Sequence, residues 1–93
     1  MELGKLLATA GVANLMAEND DFARHVSLSL ARYLSHDWGD LEGEDWRTNE
    51  MALASGEQRI FAAYKHPEHD DWRIWIITEW DRSVTTILFP DEY

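Results

Sequence analysis

A chain of 93 residues with 45% hydrophobic and 28% charged side chains has the material for one core, so the expectation is a single folded domain, with disorder not the default reading. Its 18 acidic and 8 basic side chains give a formal charge of −10, a field that repels phosphate backbones and anionic membrane and argues against a generic nucleic-acid binder. Cysteine is absent, which removes disulfides and thiolate chemistry, and no run approaches a membrane span, so the expectation is a single cytoplasmic domain over residues 1–93.

Met1 to Ala8, with Leu3, Leu6 and Leu7, is too short to classify by period. It reads as an edge strand, with a first helical turn as the alternative. Thr9 then serves as N-cap for a helix over Ala10 to Glu18, which Asn19 ends in a left-handed conformation. Asp20 and Asp21 open the next helix, one as cap and one as a charge at the positive end of the dipole. Phe22, Val26, Leu30, Tyr33 and Leu34 then form a helical stripe from about residue 21 to 35. Ser35 to Asp40 breaks the pattern as a loop. Glu42 to Ser55 has helical composition, and Gly56 stands where a left-handed cap belongs.

After Gly56 the character changes. Arg59–Tyr64, Trp72–Trp80 and Val84–Phe89 are rich in β-branched and aromatic residues, and the breaks between them are short enough for hairpins. The fold expected is α+β: about three N-terminal helices packed on a C-terminal three-stranded antiparallel meander, with an N-terminal edge strand as an addition. Along Trp72–Trp80, Trp72, Ile74, Ile76, Thr78 and Trp80 alternate with Arg73, Trp75, Ile77 and Glu79, which marks a central strand with helices over at least one face.

Two stretches and an N-terminal cap are similar to motifs of a known family. His36-Asp37-Trp38-Gly39-Asp40-Leu41, with Glu44-Asp45 and Asn49, is the first. Trp75-Ile76-Ile77-Thr78-Glu79, Asp81-Arg82-Ser83, Thr85-Thr86 and the ending Leu88-Phe89-Pro90-Asp91-Glu92-Tyr93 form the second and more specific one. Together with Thr9-Ala10-Gly11 they resemble small proteins encoded on bacterial plasmids, phages, integrative elements and gene cassettes. The chain departs from that pattern at Ala10, where proline is common, at Ser35-His36, at the polar Asp20–Leu30 stretch and at Trp80, where a small residue is usual. The resemblance implies a mobile-DNA setting and carries no activity with it.

Asp37, Asp40, Glu42, Glu44, Asp45 and Glu50 place six carboxylates within fourteen residues, offset by Arg47 alone. One reading is a partner-binding surface of Asp37, Trp38, Asp40, Glu44 and Asp45, with Trp38 as its anchor. The other is structural: Asp40 caps the Glu42–Ser55 helix and Trp38 plugs the core. An EF-hand order of oxygen ligands is missing there, and His66-x-x-His69 fits no standard zinc spacing, so no metal or cofactor is expected. Glu79, Asp81, Arg82 and Thr85 cluster at the last hairpin, where Glu79 and Thr85 would face one side as a small pocket, with Glu79 as base and Arg82 as anion clamp. Against this stands an ordinary hairpin with Asp81 accepting turn N–H groups.

These readings favour a small acidic non-catalytic module that binds a protein partner. A sharper form is an inhibitor that mimics DNA before a host DNA-binding or defence enzyme. The alternatives are a small enzyme using the Glu79–Arg82 hairpin, and an antitoxin-like neutraliser of a basic partner. Five tryptophans and a sheet edge also point to a homodimer.

Overall fold

The computed structural model describes all residues from Met1 to Tyr93. It is an α+β fold. A short strand β1 (Lys5–Ala8) leads into helices α1 (Ala10–Glu18), α2 (Asp20–Leu34) and α3 (Gly43–Ser55). Strands β2 (Ile60–Tyr64), β3 (Ile74–Thr78) and β4 (Val84–Leu88) follow, with single 3-10 turns at Asp70–Trp72 and Pro90–Glu92. β2, β3 and β4 form the antiparallel meander, and β1 adds to it as a parallel partner of β4, giving the order β1-β4-β3-β2. The sheet is therefore mixed, which corrects the expectation of a three-stranded meander alone. A parallel neighbour needs a long crossover, and residues 9–83 supply it.

Register assigns the two faces. Ile60, Ala62, Tyr64, Ile74, Ile76 and Ile87 lie on one face and join Val12 of α1, Phe22, Val26 and Tyr33 of α2, Trp38 and Ala52 in a single core. The other face carries Ala63, Ile77 and Leu88, with Phe61 packed edge-on to Trp75 at 5.0 Å and Tyr93 meeting Trp75 at 5.7 Å. β3 is shorter than its composition suggests. Trp72 sits in a 3-10 turn, still buried against Phe22 at 5.6 Å, while Trp80 lies past the strand end and is 62% exposed.

Two caps also differ from expectation. Asn19, not an aspartate, caps α2 by accepting from the Phe22 N–H at 3.0 Å, while its own N–H closes α1 on Leu15. Its φ is −140°, so it turns the chain in extended rather than left-handed geometry. Thr9 accepts from Val12 as expected, and Gly56 ends α3 at φ 69°.

The outer edge of β2 faces no strand, yet its backbone groups are bonded. Asn49 on α3 donates its carboxamide N–H to Phe61 O at 2.6 Å and accepts from Phe61 N at 3.1 Å. Asp40 N donates to Ala63 O at 2.7 Å, Ala63 N to Trp38 O at 3.4 Å, and Lys65 N to the Asp40 carboxylate at 2.6 Å. One side chain and one loop thus stand in for a fifth strand. Asn49→Ala removes two of these bonds at a site 3% exposed and is expected to lower unfolding free energy by about 2 kcal/mol. Urea titration of that variant checks the value.

His25 of α2 is also buried, and its Nε2–H donates to Trp72 O at 3.0 Å. Burial holds its pKa below the ordinary 6.5, with His66 and Arg32 pulling the same way and the Trp72 and Tyr64 carbonyls opposing. The unfolded chain therefore takes up this proton first. The stability contribution is complete above about pH 6.5 and is lost as pH falls through the folded value. Urea midpoints measured at about pH 7.5 and about pH 5.5 are expected to fall with acid in the wild type and to fall less in His25→Gln.

Candidate functional site

The loop before α3 is built into the fold. Asp37 takes a bidentate ion pair from Arg32 at 2.8 and 3.2 Å and accepts from Gly39 N at 3.1 Å. The Arg32 bond holds its carboxyl below the ordinary carboxylate range. Trp38 is 0% exposed, packs edge-on to Tyr33 at 5.4 Å and stacks under His36 at 5.5 Å. Its indole N–H donates to Glu50 at 2.9 Å. A fully buried indole offers no area to a partner, which overturns its expected role as the anchor of a binding surface. Gly39 has φ 76°, and a Cβ there would collide with Ala63 O and come within 2.7 Å of the Tyr64 ring. Asp40 does not cap α3 either. Glu42 occupies the cap position without a side-chain bond, and the Asp40 carboxylate holds Lys65 instead.

The hairpin residues separate rather than converge. Thr78 pairs with Thr85, so Thr85 lies on the core face with Thr78, while Glu79 N bonds Val84 O and its side chain is exposed. Glu79 and Thr85 therefore do not share a side, because the register is shifted by one residue from the one expected. Asp81 folds back on Ser83, accepting from its N–H at 3.0 Å and its hydroxyl at 2.6 Å, which keeps the Asp81 carboxyl below its ordinary range.

Arg82, at φ 61°, donates to four carbonyls: Gln58 at 2.7 Å, Ala52 at 3.0 Å, Trp80 at 3.1 Å and Glu79 at 3.2 Å. It joins the end of α3, the approach to β2 and the β3–β4 turn. Its guanidinium is engaged in holding backbone, not free to clamp an anion. Arg82→Lys cannot reproduce that fork, and we expect a loss of about 2 kcal/mol in stability. Thermal unfolding of the variant reads it.

Two of the surface depressions bring together residues that the sequence singled out. One, of about 520 Å³, lies between α2 and the β2–β3 connection and collects His25, His66 and His69 around Trp72. His69 stacks on Trp72 at 3.8 Å, and His66 meets both His25 and His69 at 5.2 Å. No group of three histidine or carboxylate side chains is placed to hold a metal ion. The second depression, of about 470 Å³, lies between α3, β2 and the β3–β4 turn and is lined by Asp45, Arg59, Glu79 and Trp80 among others. It brings together one residue from each sequence cluster, Asp45 and Glu79, beside the largest exposed aromatic ring. Sequence reading placed Trp80 inside a strand, and the Asp-Arg-Ser turn that follows was the signal that the strand stops earlier.

No family model, curated protein or solved structure matches the chain.

Proposed function

We propose that this chain is a small acidic, non-catalytic protein-binding module of bacterial mobile DNA, and that it engages a basic partner at the Trp80 groove. The observation that carries the reading is Trp80 itself, an indole 62% exposed in a depression that Asp45 and Glu79 line with one cation, Arg59. A rigid indole buries much area at little entropy cost, and its face attracts a guanidinium or ammonium group. The flanking carboxylates add long-range attraction for the same cations. Exposed Glu42 at the cap of α3 and Glu44 and Asp45 in its first turn add to the acidic field around the groove.

Internal neutralisation is slight. The 18 acidic side chains form one ion pair, Arg32–Asp37. The remaining charge is available for a partner whose own surface is basic, and a DNA-acting enzyme of the host has such a surface. In this reading the module inhibits that enzyme by occupying the cleft that phosphates would fill. The mobile-DNA setting comes from the sequence resemblance, and the basic character of the partner from the charge and the groove.

The test compares wild type with Asp45→Asn/Glu79→Gln/Trp80→Ala as immobilised baits, after circular dichroism has shown both folded. Wild type is expected to retain a DNA-binding protein that duplex DNA and added salt release, and the variant to bind it roughly thirtyfold more weakly, equivalent to about 2 kcal/mol. Equal retention by both baits, or retention that duplex DNA does not reverse, contradicts the proposal.

A further inference from the structure

The two edges of the sheet are treated oppositely. The β2 edge is bonded throughout by Asn49 and the loop around Gly39. At the other edge, Lys5 N and Thr9 N donate inward to Ser83 O at 2.9 Å and Ile87 O at 3.0 Å. In a parallel ladder the intervening residues then turn their N–H and C=O groups away from the neighbour, so those of Leu6 and Ala8 point outward. All four residues of β1 are exposed, with Leu6 at 46% and Leu7 at 41%. A bare edge carrying two adjacent leucines is a pairing surface.

We propose that β1 pairs with β1 of a second copy, antiparallel about a two-fold axis at Leu7, joining two four-stranded sheets into one of eight. Identical edges meeting about a two-fold run antiparallel, which makes the contact closed and self-complementary. The register follows from the chain. An axis at Leu7 pairs Leu6 with Ala8 of the other copy twice, using four outward N–H and C=O pairs of residues in extended geometry. An axis at Leu6 would require Gly4 to pair with Ala8, and Gly4 has φ 61°, outside extended geometry.

The Leu7 axis also matches charge. It sets Lys5 opposite Thr9, whose hydroxyl donates to the Glu92 carboxylate at 2.7 Å. Each end of the new ladder thus brings the Lys5 ammonium to Glu92, once per copy. Leu7 meets Leu7 at the close, non-hydrogen-bonded position, and Leu6 covers Ala8 on the helix side. This contact lies on the edge opposite the Trp80 groove and does not depend on that reading.

The chain has no cysteine, so single cysteines report the register. Residues facing each other on the axis have Cα atoms about 4.5 Å apart, inside disulfide range, whereas Leu6 and its copy are roughly 8 Å apart on the diagonal, beyond it. Sedimentation velocity of the wild type is expected to show a dimer, and Leu7→Cys to cross-link under mild oxidation while Leu6→Cys runs as monomer-sized bands without reductant. Leu7→Glu, which places like charges face to face at an exposed site, is expected to raise the dimer dissociation constant by roughly tenfold or more. A monomeric wild type overturns the proposal. So does a dimer that cross-links through Leu6→Cys, or one that Leu7→Glu leaves intact.

Discussion

A small sheet has two edges, and the backbone of β2 is the one that governs this fold. Its outward N–H and C=O groups would recruit other chains if left unbonded. The protein closes them with the Asp37–Asp40 loop and Asn49, and each residue of the loop has one task in that closure. Asp37 locks the loop to α2 through Arg32. Trp38 fills the space behind it and ties to Glu50. Gly39 lets the backbone lie against Ala63, and Asp40 reaches Lys65. What looks in sequence like an acidic recognition motif is the seam between the helical layer and the sheet.

A second set of polar contacts fixes the rest of the sheet. Thr85 donates to Leu3 O at 2.7 Å, which leaves Thr78 as donor to Thr85 at 2.8 Å and Tyr33 as donor to Thr78 at 2.6 Å. Only this direction gives each of the three hydroxyl contacts a proton, and it leaves the longer 3.5 Å approach of the Tyr33 hydroxyl to Ile60 O without one. The chain of hydroxyls crosses from α2 through β3 and β4 to the N-terminal segment, and all three of its side chains are fully buried. Burial pushes the Tyr33 phenol up to about 12, so it stays a donor. The N-terminal segment is thereby held where β1 lies alongside β4.

Much of this was legible where pattern and chemistry agree. The stripe from Phe22 to Leu34, the Thr9 and Gly56 caps and the composition after Gly56 place every helix and the meander within a few residues. The parallel docking of β1 was not legible, because four exposed residues carry no period and the bonds that hold them come from residues 83–87. Nor was the fate of the aromatics. Alternation assigned Trp72 and Trp80 to one strand, but turns at Asp70 and Asp81 cut it at both ends, burying one indole and exposing the other. Acidic residues beside a tryptophan have the same composition whether they face a partner or a neighbouring strand, so Asp37, Trp38 and Asp40 needed the register of β2 to be understood.

Closing one edge with dedicated residues while leaving the other bare separates the molecule's structural and interactive surfaces. Amide hydrogen exchange tests that division most directly. At low protein concentration the Phe61, Ala63 and Lys65 amides should be protected and those of Leu6 and Ala8 should exchange freely. Raising the concentration should protect Leu6 and Ala8 and leave the other three unchanged. Free exchange at Phe61 and Ala63, or Leu6 and Ala8 amides protected at every concentration, would contradict the account.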